Sequence, residues 1–233
     1  MDTTRQLKDV KGYMNHISVM NTGREEKQLN LLSFKCPALT YADFKHLIIV
    51  TCQNILLDRK ISEPYVVDTQ NGPALKQLYY YLTNSPECLW NLNAGLMFAG
   101  KPGCGKTLLM TAFCLVSNSL TKKQTTIIHA KNLAEWIRTE TIVSPNTVPL
   151  FIDDVGREET EVKDYGNKTK PIIDLLGLRY EAGARTYATT NLKMDTLHKY
   201  YGGDYIGSRM AEMMTFIEFP GESRRLKNEI KTK

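Results

Sequence analysis

The sequence has 233 residues, a net charge of +5 and 42% hydrophobic residues, which is enough for one medium-sized domain with its own core. It has no run of about 18 or more apolar residues and no signal-peptide pattern at its start, so we expect a cytoplasmic protein without membrane contact. The five cysteines form no CxxC pair and lie beside no histidine at metal-ligand spacing, which argues against a zinc site and a disulfide framework.

The first part of the chain predicts a small, mainly helical region. Its first thirty or so residues are polar and weakly periodic, which is typical of a loosely ordered arm. Thr40-Tyr-Ala-Asp43 resembles a capping box, and the apolar residues after it recur at helical spacing to about residue 60. A second helix is predicted from Pro73, which suits a first helical turn. We therefore divide the chain into a partly flexible N-terminal region, 1–68, and a second domain, 69–233.

From about residue 96, short apolar runs alternate with helical segments. This alternation is typical of an α/β fold in which helices cover both faces of a parallel sheet. We predict a five-stranded parallel sheet flanked by helices, with strands at 96–99, 126–129, 149–153, 186–190 and 215–219 and helices around 106–119, 131–141, 168–181 and 204–214.

A glycine-rich segment follows the first predicted strand. Residues 100–107 read Gly-Lys-Pro-Gly-Cys-Gly-Lys-Thr and match the P-loop pattern, or Walker A motif, in full. The glycines let the backbone turn tightly, so that successive N–H groups and the N-terminus of the next helix face one phosphate. In this pattern the lysine reaches the β- and γ-phosphates and the threonine hydroxyl binds Mg²⁺. We predict that the ATP and Mg²⁺ site includes Gly100, Lys101, Pro102, Gly103, Cys104, Gly105, Lys106, Thr107 and Leu108.

Two carboxylates end a later strand, in the segment Leu150-Phe-Ile-Asp153-Asp154. Asp153 is placed to supply a hard oxygen ligand to Mg²⁺ at the carboxyl edge of the sheet. Asp154 is placed to polarise the attacking water, as a general base or an orienting group. A strand that ends in two aspartates is common by itself. About 45 residues after a complete P-loop, it favours a Walker B motif and nucleotide hydrolysis.

Three further segments each have two interpretations. Asn191 follows a predicted strand and either holds the attacking water or the γ-phosphate, or serves as a turn residue. Arg209 either stabilises charge on the ATP of a neighbouring subunit or is a solvated arginine. Arg224 and Arg225, in Gly221-Glu-Ser-Arg-Arg, either add a phosphate contact or form a basic surface segment.

These segments, in this order, resemble the DnaC/IstB-type branch of the AAA+ ATPases, which comprises helicase loaders and transposition helpers. The resemblance covers about residues 70–225. It depends on the P-loop, Ile152-Asp-Asp-Val-Gly156, Thr189-Thr-Asn191, Ser208-Arg209-Met210 and the closing Gly221-Glu-Ser-Arg-Arg225.

The resemblance implies an ATPase in which Asn191 senses the γ-phosphate and Arg209 acts in trans within a homo-oligomer. It also implies that the N-terminal region grips a replicative helicase. The sequence departs from the family at Cys104, where relatives have a small or hydroxyl residue, and at the closing motif, where many have Ser-Tyr-Arg. Which of Arg224 and Arg225 is the sensor therefore stays open. The given sequence ends soon after that motif, so we expect little or no lid.

Three classes of function compete on this basis: a helicase loader, a transposition helper that coats duplex DNA, and a small-molecule kinase. A kinase is expected to carry phosphate-clamping arginines on a mobile lid, which the sequence does not suggest. No helix-turn-helix pattern or dense basic cluster supports duplex contact, so the loader is favoured. The mild positive charge predicts weak, sequence-independent binding of single-stranded DNA, with Lys131 and Arg138 as candidates unless they belong to a solvated helix face.

Overall fold

The computed structural model describes residues 39–121, 123–139, 148–158, 162–164, 167–169, 171–201 and 204–224. The predicted N-terminal arm and Arg225 lie outside these ranges. The elements are α1 (Tyr41–Asp58), α2 (Gly72–Leu82), β1 (Gly95–Ala99), α3 (Lys106–Thr121), β2 (Thr126–His129), α4 (Leu133–Thr139), β3 (Leu150–Val155), β4 (Val162–Asp164), β5 (Asn167–Thr169), α5 (Pro171–Glu181), β6 (Thr186–Thr190), α6 (Met194–Tyr200), α7 (Asp204–Met213) and β7 (Met214–Glu218). A five-stranded parallel sheet, in the order β2-β3-β6-β1-β7, forms the centre.

The predicted sheet and its flanking helices are confirmed, with three differences in detail. A 3₁₀ turn at Ala130–Asn132 precedes α4, where one continuous helix was predicted. The short helix α6 and the antiparallel hairpin of β4 and β5 were not predicted. Both are too short to display a hydrophobic period, since each hairpin strand has three residues and α6 buries only Leu197. Within the residues that the structure describes, every helix is too short or too polar to span a membrane.

The sheet separates two hydrophobic cores. Successive residues of a strand point to opposite faces, so β1 sends Leu96 and Phe98 into one core and Met97 into the other. The first core contains α1, α2 and α3, and the second contains α4, α5 and α7. Helices on both faces bury the central strands β1 and β6 at every residue, as in other parallel sheets.

Helix α1 packs directly against the helix that follows the P-loop. The predicted capping box is present, because the Thr40 hydroxyl accepts the Asp43 N–H at 3.1 Å and the Thr40 N–H reaches the Asp43 carboxylate at 3.4 Å. Phe44, Ile48 and Cys52 are fully buried in the same core as α3. The first described helix is therefore part of the packing that supports the P-loop.

A buried arginine joins the amino ends of two central strands. Arg179 of α5 is fully buried, and its guanidinium donates to the carbonyls of Val148 (3.0 Å) and Arg185 (2.7 Å) and to the Thr186 hydroxyl (2.9 Å). Burial lowers the pKa of Arg179 to about 10. These bonds satisfy backbone carbonyls where β3 and β6 begin.

Candidate nucleotide-binding site

The P-loop connects β1 to α3 and has a backbone that only glycine tolerates at several positions. Gly103 has a φ of +82° and Gly105 a φ of +107°, both in the left-handed region. A Cβ at Gly103 would lie 2.3 Å from the Ser223 hydroxyl oxygen, and one at Gly100 would lie 2.3 Å from the carbonyl oxygen of Phe219. The glycines therefore allow both the turn and the close approach of the segment after β7.

Lys106 begins α3 and is almost fully buried. Its ammonium group donates to the carbonyls of Gly100 (2.7 Å) and Lys101 (2.9 Å) and to the side-chain oxygen of Asn191 (3.0 Å). Burial lowers the pKa of Lys106, and the neighbouring Cys104, Asp154 and Asp153 oppose this shift. The lysine is thus held across the mouth of the loop by acceptors that a phosphate could replace.

Thr107 and Asp153 bring two hard oxygens together. The Thr107 hydroxyl donates to Asp153 Oδ1 at 2.7 Å, and the Thr189 hydroxyl donates to the same oxygen at 2.6 Å. Mg²⁺ in phosphate-binding sites is held by one or two protein oxygens together with phosphate and water. The Thr107–Asp153 pair beside the P-loop fits such an ion.

Asp154 lies in a bulge of β3 with an unusual backbone. The pairing of β3 with β6 shifts register between Ile152 and Val155, and Asp154 has a φ of +64°. Its N–H donates to the Thr189 hydroxyl at 2.9 Å, which holds this conformation. A non-glycine residue in this region costs about 1–3 kcal/mol, and such residues cluster at functional sites. The bulge turns the Asp154 carboxylate towards Asn191, whose amide donates to Oδ1 at 2.5 Å.

The topology explains why these side chains meet. Strand β6 lies between β1 and β3, and the carboxyl ends of parallel strands share one edge of the sheet. Asn191 follows β6, so it contacts both Lys106 after β1 and Asp154 on β3. The structure therefore brings Lys106, Thr107, Asp153, Asp154 and Asn191 into one connected group.

The segment after β7 lies against the carbonyl side of the P-loop. The Arg224 N–H donates to the Gly103 carbonyl at 3.0 Å, and its guanidinium donates to the Cys104 carbonyl at 3.3 Å and pairs with Asp68 at 2.9 Å. Partial burial acts to raise the pKa of Asp68, but hydrogen bonds from Arg224 and from two backbone N–H groups outweigh it, and the pKa is lowered. Arg224 thus links the P-loop to the segment between α1 and α2.

The remaining predicted residues occupy different surroundings. Lys101 and Pro102 are exposed, and Lys101 pairs with Glu222 at 2.5 Å. Cys104 is buried within the loop, and Leu108 is half-buried in the first turn of α3. Arg209 lies on α7 with its guanidinium over the Tyr180 ring of α5, 5.0 Å from the ring centroid.

Sequence reasoning did not identify four other residues of this site. Thr189 supports both aspartates, Asp68 pairs with Arg224, and the carboxylate of Asp154 has Arg157 at 3.2 Å and His129 at 3.9 Å. The position of Thr189 beside Asn191 was a usable signal, because a hydroxyl at a strand end can support its neighbours. The contacts of Asp68 and His129 depend on tertiary proximity, whereas Arg157 lies only three residues after Asp154.

Comparison with known proteins identifies the fold. No protein-family model and no curated protein matches the sequence. Among solved structures, DnaI is 23% identical over 70% of this chain and 89% of its own, with a TM-score of 0.50. The DnaC helicase loader is 22% identical over 67% of this chain and 93% of its own, with a TM-score of 0.53. The replication initiator DnaA, bound to AMPPCP and single-stranded DNA, is 18% identical over 72% of this chain and 53% of its own, with a TM-score of 0.50. The chain has the AAA+ P-loop fold that these structures share.

Proposed function

We propose that this protein is an ATPase of DNA replication that loads or remodels a replicative helicase on single-stranded DNA. The observation that carries the ATPase assignment is the connected group of Lys106, Thr107, Asp153, Asp154 and Asn191 beside the P-loop. Phosphoryl transfer to water requires a set of functional groups that this site contains: a fixed cation, two hard oxygens, a second carboxylate and an amide.

Each side chain has a distinct role in this proposal. Lys106 exchanges its carbonyl partners for the β- and γ-phosphates, and the loop N–H groups hold the phosphates in place. Thr107 and Asp153 hold Mg²⁺, which when bound neutralises charge on the phosphate oxygens. Asp154 polarises the attacking water, and Asn191 orients it from the neighbouring strand.

Arg209 is assigned a role in an oligomer. Arg209 contacts Tyr180 of α5. This contact supports the proposal that Arg209 does not act on the nucleotide of its own subunit. An arginine that acts in trans supplies charge stabilisation to a neighbour's ATP and is worth about 10³-fold or more in rate. We infer that the active form is a homo-oligomer whose subunits complete one another's sites.

The helicase and DNA partners are supported by the neighbours in fold. The DnaC structure is that of a helicase loader, and the DnaA structure holds AMPPCP and single-stranded DNA. We assign the same classes of ligand to this chain, with DNA bound weakly and without sequence preference. The first 68 residues are assigned to the helicase contact.

Titration with a fluorescent ATP analogue tests the central assignment. Lys106→Ala is expected to abolish binding, because it removes a buried cation with three acceptors around it. The exposed Lys199→Ala, which removes one positive charge from α6, is the matched control and should bind normally. Unchanged affinity of Lys106→Ala contradicts the nucleotide site.

Two further experiments test the partners. Mixing Arg209→Ala with Lys106→Ala should restore part of the ATPase activity, because one variant supplies an intact site and the other an intact arginine. No restoration, and no rise in activity per subunit with protein concentration, argues for a monomeric enzyme.

Affinity purification of the native protein should recover a replicative helicase. Recovery of a transposase favours the transposition helper instead.

A further inference from the structure

The peptide groups of the P-loop have a phosphate side and a rear side. The N–H groups of such a loop face the phosphates, and in a planar trans peptide the carbonyl of each unit points the opposite way. The Gly103 carbonyl shares its peptide group with the Cys104 N–H, and the Cys104 carbonyl shares its own with the Gly105 N–H. A donor to these two carbonyls strengthens the two N–H groups as donors to phosphate, because linked hydrogen bonds polarise one another.

Arg224 occupies this rear side of the loop. Its N–H donates to the Gly103 carbonyl at 3.0 Å, and its Nε donates to the Cys104 carbonyl at 3.3 Å. The second bond is long and therefore sensitive to the orientation of the guanidinium. One terminal nitrogen of Arg224 lies 2.9 Å and 3.1 Å from the two carboxylate oxygens of Asp68. The orientation of the guanidinium behind the loop thus depends on Asp68.

Asp68 is itself held in place by its neighbours in the segment between α1 and α2. Its Oδ1 accepts the N–H groups of Gln70 (2.9 Å) and Asn71 (3.2 Å), and its own N–H donates to the Asn71 side-chain oxygen at 2.9 Å. Asn71 is buried, and its amide group donates to the Val66 carbonyl at 2.9 Å. The carboxylate is therefore a fixed acceptor that restricts the conformation of the long Arg224 side chain.

We propose that Arg224 strengthens binding of the polyphosphate chain from behind the P-loop and that Asp68 is the positioning residue that keeps it there. The inference rests on the proposed nucleotide site and adds two residues that set its affinity for phosphate. Arg224 acts through the loop and touches neither the γ-phosphate nor the base. ATP, ADP and a polyphosphate without a nucleoside therefore depend on the pair to the same extent.

Competition against a fluorescent ATP analogue tests this with three ligands: ATP, ADP and inorganic tripolyphosphate. Arg224→Ala should weaken all three by about three- to tenfold, as expected for a partly exposed charged donor. Arg224→Lys keeps the charge and should recover part of this loss. Lys199→Ala, which removes an exposed positive charge from α6, should weaken none of them. The analogue's own affinity and the thermal melt are measured for every variant, so that folding is controlled.

The pattern across the three ligands decides the outcome. A loss confined to ATP overturns the inference in favour of a direct contact between Arg224 and the γ-phosphate. A loss for ATP and ADP that spares tripolyphosphate overturns it in favour of a contact with the nucleoside. Binding of all three ligands by Arg224→Ala as tightly as by the unmodified protein overturns it outright, while the ATPase assignment stands. Failure of the unmodified protein to bind the analogue overturns both.

A double-mutant cycle tests whether Asp68 acts through Arg224. Asp68→Asn keeps an oxygen for the N–H groups of Gln70 and Asn71 but removes the charge, and it should weaken tripolyphosphate binding by about threefold. Asp68→Asn/Arg224→Ala should bind as weakly as Arg224→Ala alone, because the residue through which Asp68 acts is then absent. Losses that add in the double variant overturn the positioning role.

Discussion

Replacing Gly103 by alanine tests the geometry of the P-loop directly. Gly103 has a φ of +82°, and an added Cβ would lie 2.3 Å from the Ser223 hydroxyl oxygen and 3.1 Å from its Cβ. The chain offers a matched control in Gly183, which has a φ of +62° and no atom within 4 Å of an added Cβ. Alanine at Gly183 is therefore subject to the backbone strain alone.

The two contributions at Gly103 have known sizes. A left-handed backbone costs a non-glycine residue about 1–2 kcal/mol. Displacing the Ser223 segment to relieve the overlap costs about 1–2 kcal/mol more, as for other overpacked sites. If the displaced loop must return to its original geometry to bind phosphate, Gly103→Ala should weaken ATP binding by about 30-fold to 1000-fold, since 1.4 kcal/mol is a factor of ten.

The assay is titration with a fluorescent ATP analogue, with thermal melts recorded by circular dichroism for every variant. Gly183→Ala should lower the melting temperature and bind the analogue normally. Removing the hydroxyl in Gly103→Ala/Ser223→Ala should recover the part of the affinity that the overlap removed. Affinity of Gly103→Ala within about twofold of the unmodified protein would refute the reasoning, because strain and overlap together predict far more.

Other substitutions test the carboxylates and the buried arginine. Asp154→Asn should keep ATP bound but slow its hydrolysis, because an amide cannot accept a proton; normal turnover removes this residue from the mechanism. Asp153→Asn should raise the Mg²⁺ concentration needed for binding, and an unchanged requirement would argue against metal ligation. Arg179→Met removes the side-chain donor to the Val148 carbonyl and one of two donors to the Arg185 carbonyl, and should lower the free energy of unfolding by about 1–3 kcal/mol in urea titrations; a loss below about 0.5 kcal/mol contradicts this role. The pKa of Asp68 is lowered in the folded protein, so its pairing with Arg224 contributes stability above the ordinary pKa of 3.8. This contribution is lost as the pH falls through the pKa of the folded state. Asp68→Asn should therefore be less stable near neutral pH and lose less stability than the unmodified protein on acidification; an identical pH profile would contradict the assignment.

The sequence by itself determined the parts of the site that local patterns encode. A P-loop is a local motif, because its glycines, its lysine and its threonine lie within eight consecutive residues. The strand that contains Asp153 and the strand before Asn191 are recognisable as short apolar runs between segments whose apolar residues recur at helical spacing. Together these patterns predicted the parallel sheet, and the carboxyl edge of such a sheet is where ligands bind.

Only the tertiary structure decided which of these residues touch. The order of strands places β6 between β1 and β3, so that Asn191 bridges Lys106 and Asp154. The bulge that turns Asp154 depends on a hydrogen bond to Thr189 of the neighbouring strand. Arg224 meets Asp68 from the other end of the described chain. Such contacts join residues that are distant in sequence, because the packing of helices on the sheet brings separate segments together. Local hydrophobic periodicity and turn residues cannot predict them.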